Sequence, residues 1–351
     1  MSRDEQFNTV VIGGGQAGLA TGYFLSQQRK HYLILDENPR LGTPWRKRWD
    51  SLRLFTPNHS NHLPGMKFPG EASDFPTKDE AAAYLEAYAG RYQLPIQQGA
   101  KVTRLARNES GYQISVGDTS YHADHVVVAT GAFHTPFIPP IAQQLSPDIF
   151  QLHSDDYHNP GNIQGKNILV VGAGNSGAEI ATELSRAGIN VWLAGRDVGR
   201  IPADTFGKIL GGKPYWWFMR HVMTINTPLG RRMKSNVLTH GNPLIRARRE
   251  EIRASGVEFT PRLAGAVSGK PQLEGGRILA ADSVIWATGF KPDYQWIDLP
   301  IFDSSGHPFH ERGVIGDAPG LFFVGLHFQT GLTSSLMGGV GEDAKYITSQ
   351  I

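Results

Sequence analysis

The chain has 351 residues, 40% of them apolar and 19% charged, with a formal net charge of +2. That length supports two domains with separate cores, and that charge is too small to argue for a nucleic-acid partner. There is no cysteine, which excludes thiolate metal sites and every electron relay through a redox-active cysteine pair. No apolar run is long enough to span a bilayer. The N-terminus, Met1-Ser2-Arg3-Asp4-Glu5-Gln6, enters the first strand without an apolar signal region, so a cytoplasmic setting is expected.

Phe7 to Ile12 predicts a short buried strand, and Gly13-Gly14-Gly15-Gln16-Ala17-Gly18 follows it. In this G-x-G-x-x-G pattern Gly13 permits a tight turn and Gly15 lets backbone approach a pyrophosphate. Gly18 lets the next helix lie close to the sheet. That helix is predicted from Gln16 to about Gln28, and its free N–H groups and dipole suit a phosphate. Tyr32 to Leu35 is a second strand and ends in Asp36. Asp36 stands close to the spacing from Gly18 at which an acid holds the adenine ribose hydroxyls. Glu37 beside it leaves the register open, as does reading Asp36 as the start of a turn.

Leu41 to Asn58 crowds Trp45 and Trp49 among Arg46, Lys47, Arg48 and Arg53, then runs through Phe55 and Thr56. The mixture suits an aromatic wall beside a planar cofactor; a surface loop anchored by tryptophans is the alternative. Further on, a buried strand from Val126 stops at Ala129-Thr130-Gly131, where glycine allows close approach or a crossover.

The glycine pattern then recurs. Lys166 to Val171 is a strand, and Gly172-Ala173-Gly174-Asn175-Ser176-Gly177 follows it. Two copies in the same strand-to-helix setting imply two dinucleotides and redox chemistry between them. After a helix with Ile180, Ala181 and Leu184 inward, Asn190 to Leu193 forms the next strand. The spacing that carries Gly18 to Asp36 in the first copy carries Gly177 to Gly195 in the second, with Arg196 next. A carboxylate there would repel a 2′-phosphate, whereas an arginine pairs with one. NADPH is therefore expected over NADH, with Asp197 keeping NADH open if the strand end bulges.

Phe206 to His240 contains Tyr215-Trp216-Trp217-Phe218-Met219 and then Arg231, Arg232 and Lys234. A minimal dinucleotide fold needs none of this. A substrate entrance, a homodimer contact, a membrane surface and a buried helical cap all remain open. Arg246 to Arg253 reads as an exposed helix face with internal charge pairing. Ser283 to Trp286 is another buried strand and ends in Ala287-Thr288-Gly289-Phe290, a near repeat of the first Ala-Thr-Gly. The expected fold is α/β with two doubly wound, Rossmann-like domains. An NADP-binding unit, 156–283, interrupts a first unit made of 1–155 and 284–351.

Taken together, these segments resemble the flavin-containing monooxygenases, in particular their short bacterial flavoproteins, and more distantly the plant auxin-forming flavin monooxygenases. The resemblance rests on Gly13 to Gly18, Trp45 to Pro57, Ala129-Thr130-Gly131, His153 to Tyr157, Gly172 to Gly177, Ala287 to Phe290 and Gly339 to Ala344. The family fingerprint F-x-G-x-x-x-H-x-x-x-F/Y is matched at His153 and Tyr157 but has Pro147 and Ile149 in place of its Phe and Gly. The usual Gly-Gly-x-Trp is Gly42-Thr43-Pro44-Trp45.

The resemblance implies FAD on the first unit, through Gly13, Gly15, Gln16, Ala17, Gly18, Asp36 and Glu37. Trp45, Arg46, Thr56, Val102 and Ala129 to Gly131 would add to that site, and Ser335 and Leu336 would reach the flavin. NADPH would sit on Gly172, Gly174, Asn175, Ser176, Gly177 and Arg196, with Ala287, Thr288 and Gly289 at the domain junction. Phe55 and Asn58 are alternative flavin-facing residues. His153 is a candidate for acid–base work, although a structural role in fixing the linker fits it better. The implied reaction passes hydride from NADPH to flavin. Dioxygen then gives a C4a-(hydro)peroxyflavin that oxygenates a small sulfide, amine or ketone. The alternatives are an NADPH oxidase or electron-transfer reductase, and a redox sensor without turnover.

Overall fold

The computed structural model describes residues 4–200, 212–240 and 243–351. The stretch of the Phe206 to His240 segment before Gly212 lies outside the described residues. In chain order the elements that build the site begin with β1 (Asp4–Ile12), α1 (Gln16–Gln27), β2 (Tyr32–Leu35), α2 (Thr43–Arg46) and α3 (Lys78–Arg91). Next come β3 (Ile96–Gln97), β4 (Arg104–Asn108), β5 (Gly111–Val116), β6 (Thr119–Val128), β7 (Thr135–Pro136) and β8 (Phe150–His153). The second half holds β9 (Asn167–Val171), α4 (Asn175–Arg186), β10 (Asn190–Ala194), β11 (Glu258–Thr260), β12 (Leu263–Val267), β13 (Lys270–Leu273), β14 (Ser283–Trp286), β15 (Phe290–Lys291) and β16 (Leu321–Phe323).

The first sheet runs β3-β2-β1-β6 in parallel, and β6 carries two different neighbours on its far edge. Its first half pairs antiparallel with β5, which continues to β4. Its last three residues pair parallel with β16. The sequence of β6 records the change. Tyr121 and Ala123 are buried with the less buried His122 between them, whereas Val126, Val127 and Val128 are buried without a break. Alternation belongs to a half-covered sheet and a continuous apolar run to a strand covered on both faces. On the faces of this sheet, α1 packs against the C-terminal helix Val340–Thr348.

The second sheet is parallel throughout, in the order β11-β10-β9-β14-β8. Here the pairing departs from the boundaries expected at 155/156 and 283/284. Those boundaries place β8 and nearly all of β14 with the first unit. Hydrogen bonding puts both strands in the second sheet, with β14 between β9 and β8. The chain crosses between sheets just after each Ala-Thr-Gly, and the two crossings touch: β7 and β15 form a two-rung antiparallel ladder, Phe290 opposite Pro136 and Lys291 opposite Thr135. One buried apolar cluster runs through both sheets, from Val11 and Leu19 to Ile168, Val170 and Ile180. Among the described residues no helix is long and apolar enough to cross a membrane.

Candidate cofactor-binding site

The first glycine loop is held by close approach on every side but one. Gly13 has φ +110°, and a Cβ there would lie 2.6 Å from Ala129 O. A Cβ on Gly18 would lie 1.8 Å from Gly13 O, so α1 rests directly on the loop that precedes it. At Gly15 a Cβ would meet nothing within 4 Å. Gly15 is also the N-cap of α1 and contributes no side-chain cap to the first-turn N–H groups. The loop is therefore closed toward the protein and open where a pyrophosphate would lie. At the end of β2, Asp36 is buried, and its Oδ2 accepts the Gly14 N–H at 2.6 Å. Its Oδ1 accepts the Asn38 N–H at 2.8 Å, so Asp36 also starts a turn. Glu37 is exposed.

Beyond β2, the basic and aromatic loop is tied to α3. Arg46 donates to Leu41 O at 2.7 Å and to Glu86 Oε2 at 2.8 Å, and Arg40 shares that carboxylate. The Arg46 guanidinium is thus committed to α3, with Trp45 half-buried beside it. Thr56 is buried, and its hydroxyl donates to Asn61 Oδ1 at 2.5 Å while Asn61 Nδ2 returns to Thr56 O at 2.9 Å. Asn58 is buried too. Its Nδ2 donates to Glu71 O at 2.9 Å, and its Oδ1 has no partner. Phe55 is half-buried. Val102 is buried in the apolar cluster on the other face of the sheet, with Val10 and Leu35.

At the crossover, Thr130 adjoins Gly13, and its Oγ1 is buried without a hydrogen-bond partner; so is His134 Nε2. His153 is 1% exposed and uses both ring nitrogens. Nδ1 accepts the Asp155 N–H at 3.1 Å, so the ring proton is on Nε2, which donates to Gly289 O at 3.0 Å. Burial holds its pKa below the usual histidine value. The neutral ring pins the second crossing, and Thr288 Oγ1 donates to Phe137 O beside it. Tyr157 is fully buried and donates to Glu183 Oε2 on α4 at 2.8 Å, fixing the linker from the other side.

The second loop repeats the first. Gly172 has φ +112°, with Ala287 O 2.2 Å from a Cβ placed there. A Cβ on Gly177 would lie 1.9 Å from Gly172 O, and Gly174 opens on free space as the uncapped start of α4. Asn175 turns its side chain to Pro243 O and the Ile245 N–H, and Ser176 is half-buried. Arg196 is exposed. Asp197 is engaged elsewhere: its Oδ1 accepts the Gly199 N–H at 2.9 Å and its Oδ2 lies 3.3 Å from Arg249.

The C-terminal segment lies across the first loop. Gln16 Nε2 donates to Ser335 O at 3.2 Å, joining the two ends of the chain, and Leu336 N donates to Thr333 O. A Cβ on Gly338 would lie 1.7 Å from Ser60 O and 3.0 Å from Arg220 Nη2. The aromatic run forms the helix Lys213–His221, with Met219 buried and Trp217 60% exposed. The chain after it is sewn to the same segment by Ile225 N to Thr330 O at 2.8 Å and Leu332 N to Met223 O at 2.9 Å. Neither this cover nor Arg220 is legible from the motifs; the Gly338-Gly339 pair is the one visible sign of close packing there. Among the described residues no cluster of His, Asp or Glu is arranged to hold a metal.

Known proteins share this sequence pattern and this fold. The family model described as pyridine nucleotide-disulphide oxidoreductase matches residues 10–205, more than half of the chain. The chain belongs to that family. Members of the family bind FAD and NAD(P)H. A CzcO-like oxidoreductase of Geobacillus kaustophilus, itself described as uncharacterized, is 38% identical over 346 residues, covering 98% of each chain. A probable indole-3-pyruvate monooxygenase of Arabidopsis thaliana, YUCCA3, is 29% identical, covering 90% of this chain and 81% of that one. The structure of a flavin-containing monooxygenase from Stenotrophomonas maltophilia superposes with a TM-score of 0.80 at 26% identity, covering 99% of this chain and 98% of that one. The motif resemblance and the α/β fold with two dinucleotide-binding sheets agree with these findings. The protein is a flavin-dependent oxidoreductase that resembles monooxygenases. Within a family named for disulphides it has no cysteine.

Proposed function

We propose that the chain is an FAD-dependent, NADPH-using monooxygenase of small sulfides, amines or ketones. The observation that carries the reading is the pair of open glycine cradles, each closed by an Ala-Thr-Gly strand end, in a chain with no cysteine to receive electrons. FAD, when bound, supplies hydride acceptance from a nicotinamide and the activation of dioxygen. The residues around the first cradle fit it: Gly15 and the N-terminus of α1 toward pyrophosphate, Asp36 toward ribose, and Thr130, whose backbone adjoins Gly13 and whose buried hydroxyl has no partner. Gly174 and α4 offer the same to NADPH, with Arg196 toward its 2′-phosphate. The remaining groups hold the frame. Gln16 anchors the Ser335 segment over the cradle, and Met223 and Ile225, just after the Lys213–His221 helix, hold the start of that segment by backbone hydrogen bonds. His153, with both nitrogens bonded to backbone, keeps the crossing in place rather than moving a proton.

One observation favours a second reading, an NADPH oxidase. The Asn58 amide donates to Glu71 O and Phe55 has no polar group. Phe55 then offers no donor to reduced oxygen, and Asn58 keeps only the second N–H of its amide.

The test is to supply NADPH and dioxygen with a sulfide, an amine, a cyclic ketone or a 2-oxo acid, and to measure oxygenated product and hydrogen peroxide together. The 2-oxo acid is included because the Arabidopsis relative is described as acting on indole-3-pyruvate. Product approaching one per NADPH with one of these classes is expected. Quantitative recovery of electrons as peroxide with all four would replace the monooxygenase by the oxidase.

A further inference from the structure

A cleft of about 340 Å³ lies between the helix Pro228–His240 and the turn at Arg312. None of the residues placed at either glycine cradle lines it. Its walls hold three cationic side chains, Arg231, Lys234 and Arg312, and one acid, Glu311. Glu311 is exposed, and among the described residues none of the three cations is in an ion pair. Arg231 and Lys234 stand three apart and so share one face of their helix. Arg231 Nη1 donates to Ile225 O at 2.9 Å, which fixes that guanidinium at the rim.

Arg312 stands there against its backbone preference. Glu311 and Val314 exchange N–H···O bonds at 3.0 and 2.9 Å, so Arg312-Gly313 is the two-residue turn of a small hairpin. Both turn residues have positive φ, +51° and +94°. Those are the signs of a type I′ turn, whose first central position favours Asn, Asp or Gly. Gln329 holds the turn, its Nε2 donating to Arg312 O at 3.0 Å and to Phe323 O at 2.9 Å. The Arg312 guanidinium lies over the Tyr346 ring, 3.7 Å from its centroid, and Nε is buried without a hydrogen-bond partner. Asp343 is close enough to feel that charge, but burial raises its pKa and its Oδ1 accepts the Thr330 hydroxyl. His310 completes the wall. Its Nδ1 accepts the Gly313 N–H at 3.1 Å, so the ring proton is on Nε2. Burial pushes its pKa down to about 4, so the ring stays neutral. Among the described residues that Nε2–H has no partner.

We propose that this cleft binds a small oxyanion, a phosphate or a carboxylate, between Arg231 and Lys234 on the helix and Arg312 and His310 on the hairpin. All four offer N–H donors, and such donors on both walls call for an acceptor between them. Guanidinium groups match phosphate and carboxylate best. An anion there ties the helix to the hairpin. Ile225 N already donates to Thr330 O, next to Gln329, so the anion also fastens the chain from Ile225 onward to the C-terminal segment that crosses the first cradle. The site stands whichever reaction the two cradles support.

The test is titration calorimetry on the FAD-loaded protein in Tris chloride at fixed ionic strength. Inorganic phosphate and succinate are the probes, and sodium chloride is the control. Saturable binding of phosphate or of succinate is expected, the tighter of the two naming the ligand's chemistry. Lys234→Gln should weaken it about tenfold, the scale of one hydrogen bond to a charged group. Glu311→Gln removes the acid at the rim and should tighten it. Arg312→Asn places in the turn a residue suited to its backbone, so the chain should fold and yet bind the anion about tenfold more weakly. Arg196→Ala, beside the second cradle, should change nothing. No saturable heat beyond that of chloride, or binding that survives both Lys234→Gln and Arg312→Asn, would overturn the site. Binding lost in Arg196→Ala instead would place the anion at the second cradle and overturn it equally.

Discussion

At the scale of single residues, the second strand end separates two neighbours that the sequence left in competition. Asp197 is turned to the Gly199 N–H and Arg249, while Arg196 is exposed. On the proposed reading of the second cradle as the NADPH site, Arg196 is the residue that would meet the 2′-phosphate. Arg196→Ala is therefore expected to raise the KM for NADPH about tenfold and to leave that for NADH nearly unchanged. This is the low end of the roughly 1.5–3 kcal/mol of a hydrogen bond to a charged group, as suits an exposed site. Steady-state kinetics with both coenzymes checks it, and equal changes would mean that Arg196 does not read the phosphate. Residue spacing put Asp36, Gly195 and Arg196 just after their strands, and there the structure has them. It did not reveal that Arg46 belongs to Glu86, since that partner lies far along the chain on α3 and no local pattern marks it.

At the scale of elements, the crossings between sheets depend on His153. One of its hydrogen bonds joins the end of β8 to Gly289, just before β15, and the other holds the Asp155 N–H in the turn after β8. His153→Phe would leave the Gly289 carbonyl and the Asp155 N–H unpaired. A loss of about 2 kcal/mol is expected, seen as a lower Tm, while the pH profile of turnover keeps its shape. A shifted pH profile with unchanged Tm would instead make His153 an acid–base group. The misplaced boundaries belong to the same scale. The strand β14 is short and buried throughout, while β8, Phe-Gln-Leu-His, is short, half buried and not an apolar run at all. A short apolar run declares that it is covered on both faces, but not which sheet it joins. Of the long strand β6 only the continuous apolar half from Val126 is read from the sequence; the alternating half that pairs with β5 is not.

At the scale of the whole molecule, acid should weaken the fold. Burial lowers the pKa of His62, His125, His134, His153 and His327, and pushes His310 down to about 4. Each of these histidines takes up a proton more readily in the unfolded chain. The stability they contribute is complete above the ordinary histidine value near 6.5 and is lost as pH falls through the lowered folded values. Glu179 and Asp343, raised by burial, act in the opposite sense but are fewer. Tm is expected to fall steadily from about pH 7.5 to about pH 5, and thermal melts across that range check it; a flat or rising curve would contradict it. The two crossings, at β7 and β15, bear on the order of synthesis. All five strands of the second sheet lie between them and are complete once Trp286 has been made. The first sheet, begun earlier, lacks β16 until Phe323 and the helix that covers α1 until Thr348. On the ribosome, then, the unit begun first is finished last, and its apolar edge at Val126 to Val128 must wait through the emergence of its neighbour.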